Sequence, residues 1–207
     1  MTTIYVVTHP QATHHTEGLV GDWYDSVLTD RGLRHAQQIA VELSRRLAAR
    51  PESSVRLVSS DLIRARQTAD AITEIFDLPV TLDERLREQH HGAAEGQPVG
   101  AHPYNPVPRT GDRMHFVSGP GMESRAVWAQ RVYAAMTDIY HDPADTTIVV
   151  THGGSLTYVI ASWIGIPFEA ADRVKFQASP GSLTVLHDDD INGDHVVAEL
   201  NSTDHLL

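Results

Sequence analysis

Apolar positions along the chain fall into two rhythms. Short continuous runs rich in β-branched and aromatic residues, "TIYVV" (3–7), "VRLVSS" (55–60) and "TTIVV" (146–150), predict buried strands, and "PVTLD" (79–83) predicts a shorter one. Between them the apolar spacing lengthens to that of helices. Leu33, Ala36, Ile39, Ala40, Leu43 and Leu47 predict a helix capped by Thr29 and closed by Pro51. "DLIRARQTADAITEIF" predicts a second, capped by Ser60. Val127, Val132, Met136 and Ile139 mark a third over 122–140, and "SLTYVIASWIGI" a fourth. From Val174 to Leu200 the pattern alternates into strands around a turn at "DDDINGD". From Glu84 to Gly121 it dissolves into Pro, Gly, His and Arg.

That order predicts an α/β protein, a three-layer α/β/α sandwich with a mostly parallel central sheet. One domain over 1–207 is expected, with residues of about 84–121 inserted as a substrate loop or lid. Ligands of such sheets sit beyond the carboxyl ends of strands. Two strands end in the same four residues, "VVTH", at 6–9 and 149–152, and the helix after "VRLVSS" carries Arg64 in its first turn. His9, His152 and Arg64 can therefore converge at one sheet edge. Gly153 and Gly154 let a ligand approach the backbone at the start of the next helix. Two imidazoles, an arginine and helix N-termini suit a tetrahedral anion. A neutral histidine can also attack phosphorus, given a carboxylic acid to protonate the departing oxygen, and "LREQHHGAAEG" offers Glu88 and Glu95.

Composition narrows the partners. The net charge of −11 opposes general nucleic-acid binding but allows a small phosphorylated or anionic substrate in a locally cationic pocket. The absence of cysteine removes disulfide and thiolate chemistry and fits a cytoplasmic protein. The N-terminus lacks the pattern of a signal peptide, and the longest apolar stretch, Leu156–Phe168, is too short to span a bilayer, so no membrane partner is expected. The thirteen histidines include the doublets His14-His15 and His90-His91, which lack chelating spacing. A metal-dependent hydrolase built on the histidine cluster is a distant alternative. No phosphate-binding P-loop or dinucleotide fingerprint is present.

The chain resembles the histidine phosphatase, or phosphoglycerate mutase-like, superfamily. "VVTHPQAT…DSVLTDRGLRHAQQIA" is similar to that family's Arg-His-Gly signature and the stretch after it. "SSDLIRARQTA", "LREQHHGAAEG", "VVTHGG" and "LNSTDHL" follow in the family's order. The resemblance implies His9 as the phosphorylated nucleophile, Arg64 and His152 as phosphoryl ligands, and Glu88 as general acid. It implies no metal or organic cofactor.

The departures crowd the first motif. Thr8 stands for the family's arginine, Pro10 for its glycine and Gln11 for its glutamate; His15 replaces an asparagine that contacts phosphate, and Asp22 a glycine. A lost charge-assisted contact costs roughly 1.5–3 kcal/mol. Thr8 is expected to offer phosphate a hydroxyl, while His14, His15, Arg87, His90 and His91 are expected to add cationic donors. Arg87, Arg109 and Arg113 are candidates for the substrate's far end. Two readings stay open: a phosphatase, with mutase activity as a variant, or a divergent member with weak or redirected activity that binds an anion. A homodimer is compatible with both.

Overall fold

Each continuous apolar run becomes a strand of one sheet. The computed structural model describes residues 2–49, 54–142 and 144–207. Its strands are β1 (Thr3–Thr8), β2 (Val55–Ser59), β3 (Val80–Leu82), β4 (Thr146–Thr151), β5 (Leu183–Asp188) and β6 (His195–Ser202). The helices are α1 (Thr13–Glu17), α2 (Asp30–Leu47), α3 (Ile63–Phe76), α4 (Arg125–Tyr140) and α5 (Ser155–Trp163). The strands lie in the order β3-β2-β4-β1-β5-β6. The first four are parallel, and β5 and β6 extend the sheet antiparallel.

Alternation along the strands makes the three layers. Ile148 and Val150 pack with Ile39 and Leu43 of α2 and Ala69 and Ile72 of α3. Val149, between them in sequence, packs on the opposite face with Val132 and Met136 of α4 and Leu156 and Ile160 of α5. The register pairs Val6 with Val149 and Thr8 with Thr151. His9 and His152 therefore leave the sheet side by side.

The caps follow the sequence in part. Thr29 Oγ1 accepts the Gly32 N–H of α2 (3.0 Å), and Ser124 Oγ accepts that of Val127 at the head of α4 (3.3 Å). Ser60 does not cap α3: the helix begins two residues later, and Asp25 accepts the Ile63 N–H from a distant loop (2.6 Å). Pro51 lies outside the described residues, and α2 ends at Leu47. Leu33 sits at the rim of the α2 stripe and is 43% exposed. The helices expected over 122–140 and 155–166 start and stop closer in, at Arg125 and Trp163. The short α1, unexpected from its polar sequence, closes on Gly18 in the left-handed conformation (φ 67°).

Between Glu84 and Gly121 the only helical pieces are single 3₁₀ turns at Glu84–Leu86 and Gly92–Ala94. One side chain of α4 organises the start of this segment. Arg131 donates to the carbonyls of Arg85 (2.9 Å), Arg87 (2.6 Å) and Glu88 (2.5 Å), and it also pairs with Glu123.

Candidate active site

A cavity of about 300 Å³ opens beyond the ends of β1 and β4, with His9, Arg64 and Glu88 in its wall. Backbone bonding holds His9 there, since its N–H donates to the Thr151 carbonyl (3.1 Å). Nδ1–H of the ring donates to the Pro10 carbonyl (2.8 Å), which leaves the lone pair on Nε2. Arg64 Nε donates to that nitrogen at 3.2 Å. Burial, then the Arg64 charge, hold the His9 pKa well below 6.5, so the ring is neutral at neutral pH.

Arg64 is 1% exposed, and a guanidinium so deep needs partners. The loop after α1 supplies them as backbone carbonyls, Tyr24 to Nη1 (3.0 Å) and Asp22 to Nη2 (2.5 Å). Asp22 holds φ at +38° there. Its carboxylate turns to His91 Nδ1 at 2.8 Å. Burial opposes charge on His91, but the Asp22 hydrogen bond and charge outweigh it and raise the His91 pKa.

Glu88 follows the first 3₁₀ turn. Its carboxylate accepts from the N–H of Gly154 (2.6 Å) and of Gln89 (3.0 Å). Burial, then the Asp22 charge, push its pKa up despite those bonds, a direction that suits the general acid expected at this position. Gly154 is needed for this fit, because a Cβ there would lie 2.5 Å from both Glu88 Oε1 and the Trp128 ring.

His152 sits under His9, ring centroids 5.0 Å apart and nearly edge-on, and is 0% exposed. It borders His9 and not the cavity wall, because Ser60 Oγ holds its Nε2 at 2.8 Å. Its Nδ1 is buried without a hydrogen-bond partner.

The remaining expectations divide. His15 lies at the cavity, stacked 5.7 Å from His9, with Nδ1 accepting the Ala12 N–H (3.0 Å) so that the neutral ring carries its proton on Nε2. His14 also reaches the cavity; its ring is tied to Ser26 (2.6 Å) and fills the space that a Cβ on Gly21 would need. Neither is a cation at neutral pH. Desolvation, then His15 and Arg64, take the His14 pKa to about 3, and desolvation followed by Arg64 lowers that of His15. The expected cationic compensation for the missing arginine is absent there: Arg64 is the one arginine or lysine in the cavity wall.

Thr8 also differs from expectation. Its hydroxyl donates to the Ser179 carbonyl (2.7 Å) and accepts the Ser182 N–H (3.1 Å), so its proton is already committed. Arg87 does not face the cavity; it pairs with Asp61 (2.5 Å) and lies over Trp23 at 4.5 Å. Arg113 is spent on the Pro108 and Asp172 carbonyls, and Arg109 is exposed on the loop. His90 bonds to the Gly121 carbonyl (3.0 Å). Sequence reasoning missed Trp23, whose indole donates to the Glu88 carbonyl (2.7 Å), and Arg131; no spacing signal marked either. Among the described residues no group of three or more His, Asp or Glu is arranged to hold a metal ion, and no helix is long and apolar enough to cross a membrane.

Comparison with known proteins agrees with this geometry. The family described as "Histidine phosphatase superfamily (branch 1)" matches residues 4–201. A "probable phosphoglycerate mutase" of Salmonella paratyphi C is 28% identical over 184 residues, covering 86% of this chain and 81% of the relative. Among solved structures, a mycobacterial glucosyl-3-phosphoglycerate phosphatase in complex with VO3 superposes with a TM-score of 0.75 at 21% identity, covering 98% of this chain and 100% of that one. The alpha-ribazole phosphatase of Shigella flexneri gives 0.74 at 21%, covering 97% and 96%. At such identities the structures establish a shared fold.

Proposed function

Because the chain belongs to the histidine phosphatase superfamily, we propose that it hydrolyses a small phosphomonoester through a phosphohistidine on His9. The observation that carries this reading is the state of His9: a neutral ring, its proton fixed on Nδ1 by the Pro10 carbonyl, its Nε2 lone pair at the cavity beside Arg64. Nε2 attacks phosphorus in line, and the bond from phosphorus to the ester oxygen breaks. Glu88 gives its proton to that oxygen, releasing the alcohol. Water then attacks the phosphohistidine, Glu88 takes the water's proton, and phosphate leaves with Nε2 restored.

Arg64 moves its Nε–H from the His9 nitrogen to a phosphoryl oxygen as the charge arrives. With Ser60 donating to Nε2 of His152, the neutral His152 ring carries a proton on Nδ1. A phosphoryl oxygen on His9 would satisfy that unpartnered buried nitrogen. In this reading His152 binds phosphate only once phosphate is seated against His9. Residues of about 84–121 supply Glu88 and face the substrate's organic part.

The test is turnover of an aryl phosphate without added metal, beside His9→Ala and Glu88→Ala. Hydrolysis that disappears in His9→Ala, with an acid-labile phosphoenzyme trapped only when His9 is present, supports the reading. Hydrolysis that survives in His9→Ala, or that requires added Zn²⁺ or Mn²⁺, overturns it. A second reading, an anion binder with weak activity, draws on Asp22, an acidic residue in the cavity wall. Vanadate binding without turnover is its signature.

A further inference from the structure

A second chamber, about 540 Å³, lies against the phosphate cavity, and Asp22 belongs to the wall of both. That volume is within the range of roughly 300–1,000 Å³ typical of small-molecule sites. We propose that this chamber receives the alcohol part of the substrate, and that this part is an uncharged, apolar group. The inference rests on the phosphatase reading and names the substrate class for it.

Four features support it. The chamber wall is largely apolar: Val20, Pro98, Val99, Tyr104 and Met122 line it, and Asp22, His91 and His102 are its polar side chains. Val99 and Tyr104 are 72% and 54% exposed, large apolar side chains facing water in a concave site beside the reacting atoms. The wall is also held in place. Leu19 bridges to Pro98, Val20 N–H donates to the Gln97 carbonyl (2.9 Å), and Val99 N–H to that of Gly18 (2.9 Å). Across the chamber His91 bridges to Met122.

The charges complete the argument. No arginine or lysine lines the chamber, and its only acid, Asp22, is on the partition with the phosphate cavity. A carboxylate or second phosphate on the alcohol would approach Asp22, whose imidazole partner is already engaged at 2.8 Å. Lys175, the only lysine of the chain, lines another groove, which shares Gly153 and Ala178 with the phosphate cavity and no residue with this chamber. An ester with a second anionic group, such as 3-phosphoglycerate, therefore meets no arginine or lysine in this chamber, only the His91 imidazole held by Asp22 and that of His102, whereas an alkyl or aryl group meets apolar side chains.

The experiment compares ethyl, butyl and hexyl phosphate, whose leaving alcohols differ little in acidity, with 3-phosphoglycerate. Each methylene taken from water raises kcat/KM by up to roughly fourfold, so hexyl should exceed ethyl phosphate on the order of tenfold or more. Val99→Asp should bring the hexyl-to-ethyl ratio toward one, and Val99→Leu should keep it. A flat series, an unchanged ratio in Val99→Asp, or a preference for 3-phosphoglycerate over hexyl phosphate would overturn the proposal. Binding to the His9→Ala protein separates the two claims. If no ester is turned over, the phosphatase reading fails, while calorimetry still tests the chamber. Tighter binding of hexyl than ethyl phosphate, lost on adding Val99→Asp, upholds the chamber; equal binding overturns it.

Discussion

Two strands of this protein end in Val-Val-Thr-His, and the two ends do different work. At the end of β1 the histidine faces the cavity, its Nδ1–H bound by the Pro10 carbonyl. At the end of β4 the histidine is sealed beneath it, and Ser60 holds the other ring nitrogen. The residues that follow account for the split. Pro10 has no N–H and offers its carbonyl to the ring, whereas Gly153-Gly154 leaves an N–H free for Glu88 and space for its carboxylate. The threonines diverge as well. Thr8 ties β1 to Ser179 and Ser182, and Thr151 donates to the Leu86 carbonyl (2.8 Å), two residues before Glu88. One strand end therefore carries the proposed nucleophile, and the other carries the support of the proposed acid.

The comparison breaks most sharply at the histidines. His9→Ala should lower kcat by roughly 10⁴-fold or more, as loss of a nucleophile does. His152→Ala removes the donor proposed to meet the phosphoryl oxygen and should cost about 10²–10³-fold. The measurement is single-turnover hydrolysis with phosphoenzyme trapping; equal losses, or phosphoenzyme in His9→Ala, would reverse the assignment.

Next in size is the glycine that only the β4 end needs. Gly154→Ala puts a methyl against Glu88 Oε1 and Trp128, so kcat should fall about 10²-fold as the acid is displaced. Thermal unfolding should show a loss of roughly 1–3 kcal/mol from overpacking. Pro10→Ala keeps the carbonyl that His9 uses and should change kcat by less than about fivefold.

The pH profile sharpens the same contrast. In the proposed mechanism His9 must be neutral to attack, and its pKa is lowered, so activity should be lost only as pH falls well below 6.5. As the proposed acid, Glu88 must be protonated for the alcohol to leave, and its pKa is raised, so kcat/KM should fall as pH climbs through that raised value. Asp22→Asn removes a cause of the rise and should move the alkaline limb to lower pH. An alkaline limb that stays in place would remove Asp22 from the control of Glu88.

How much of this was legible in the sequence depended on the distance of the interactions. The strands and α2 to α5 were legible because their apolar spacing is local, and the paired His9 and His152 followed from two equal strand endings. What was not legible lies in contacts between distant segments. Asp25 caps α3 from 38 residues away, and α1 has no apolar stripe of its own, its His14 packing into the room left by Gly21. Arg131 holds the Glu88 backbone from α4. The cationic help expected of His14 and His15 failed for the same reason: their charge is set by enclosure and by the buried Arg64, neither of which a spacing pattern records.

The smallest expected effect separates the threonines themselves. Thr151→Val deletes a donor and leaves the buried Leu86 carbonyl unpaired, a cost of roughly 1–3 kcal/mol. Because that carbonyl begins the turn into Arg87 and Glu88, kcat should also drop severalfold. Thr8→Val removes a second partner from the Ser179 carbonyl and the Ser182 N–H, which still bond each other (3.0 Å), so it should cost less stability, about 1 kcal/mol or below. Its kcat should change less, because neither group touches His9 or Glu88. Denaturant melts and kcat of the two variants, measured side by side, check this: Thr151→Val should lose more of both stability and rate. If both rates fell equally, the Ser179 segment, which lines the cavity, would position the reacting groups as much as the Leu86 turn does, and the two strand ends would be functional equals after all.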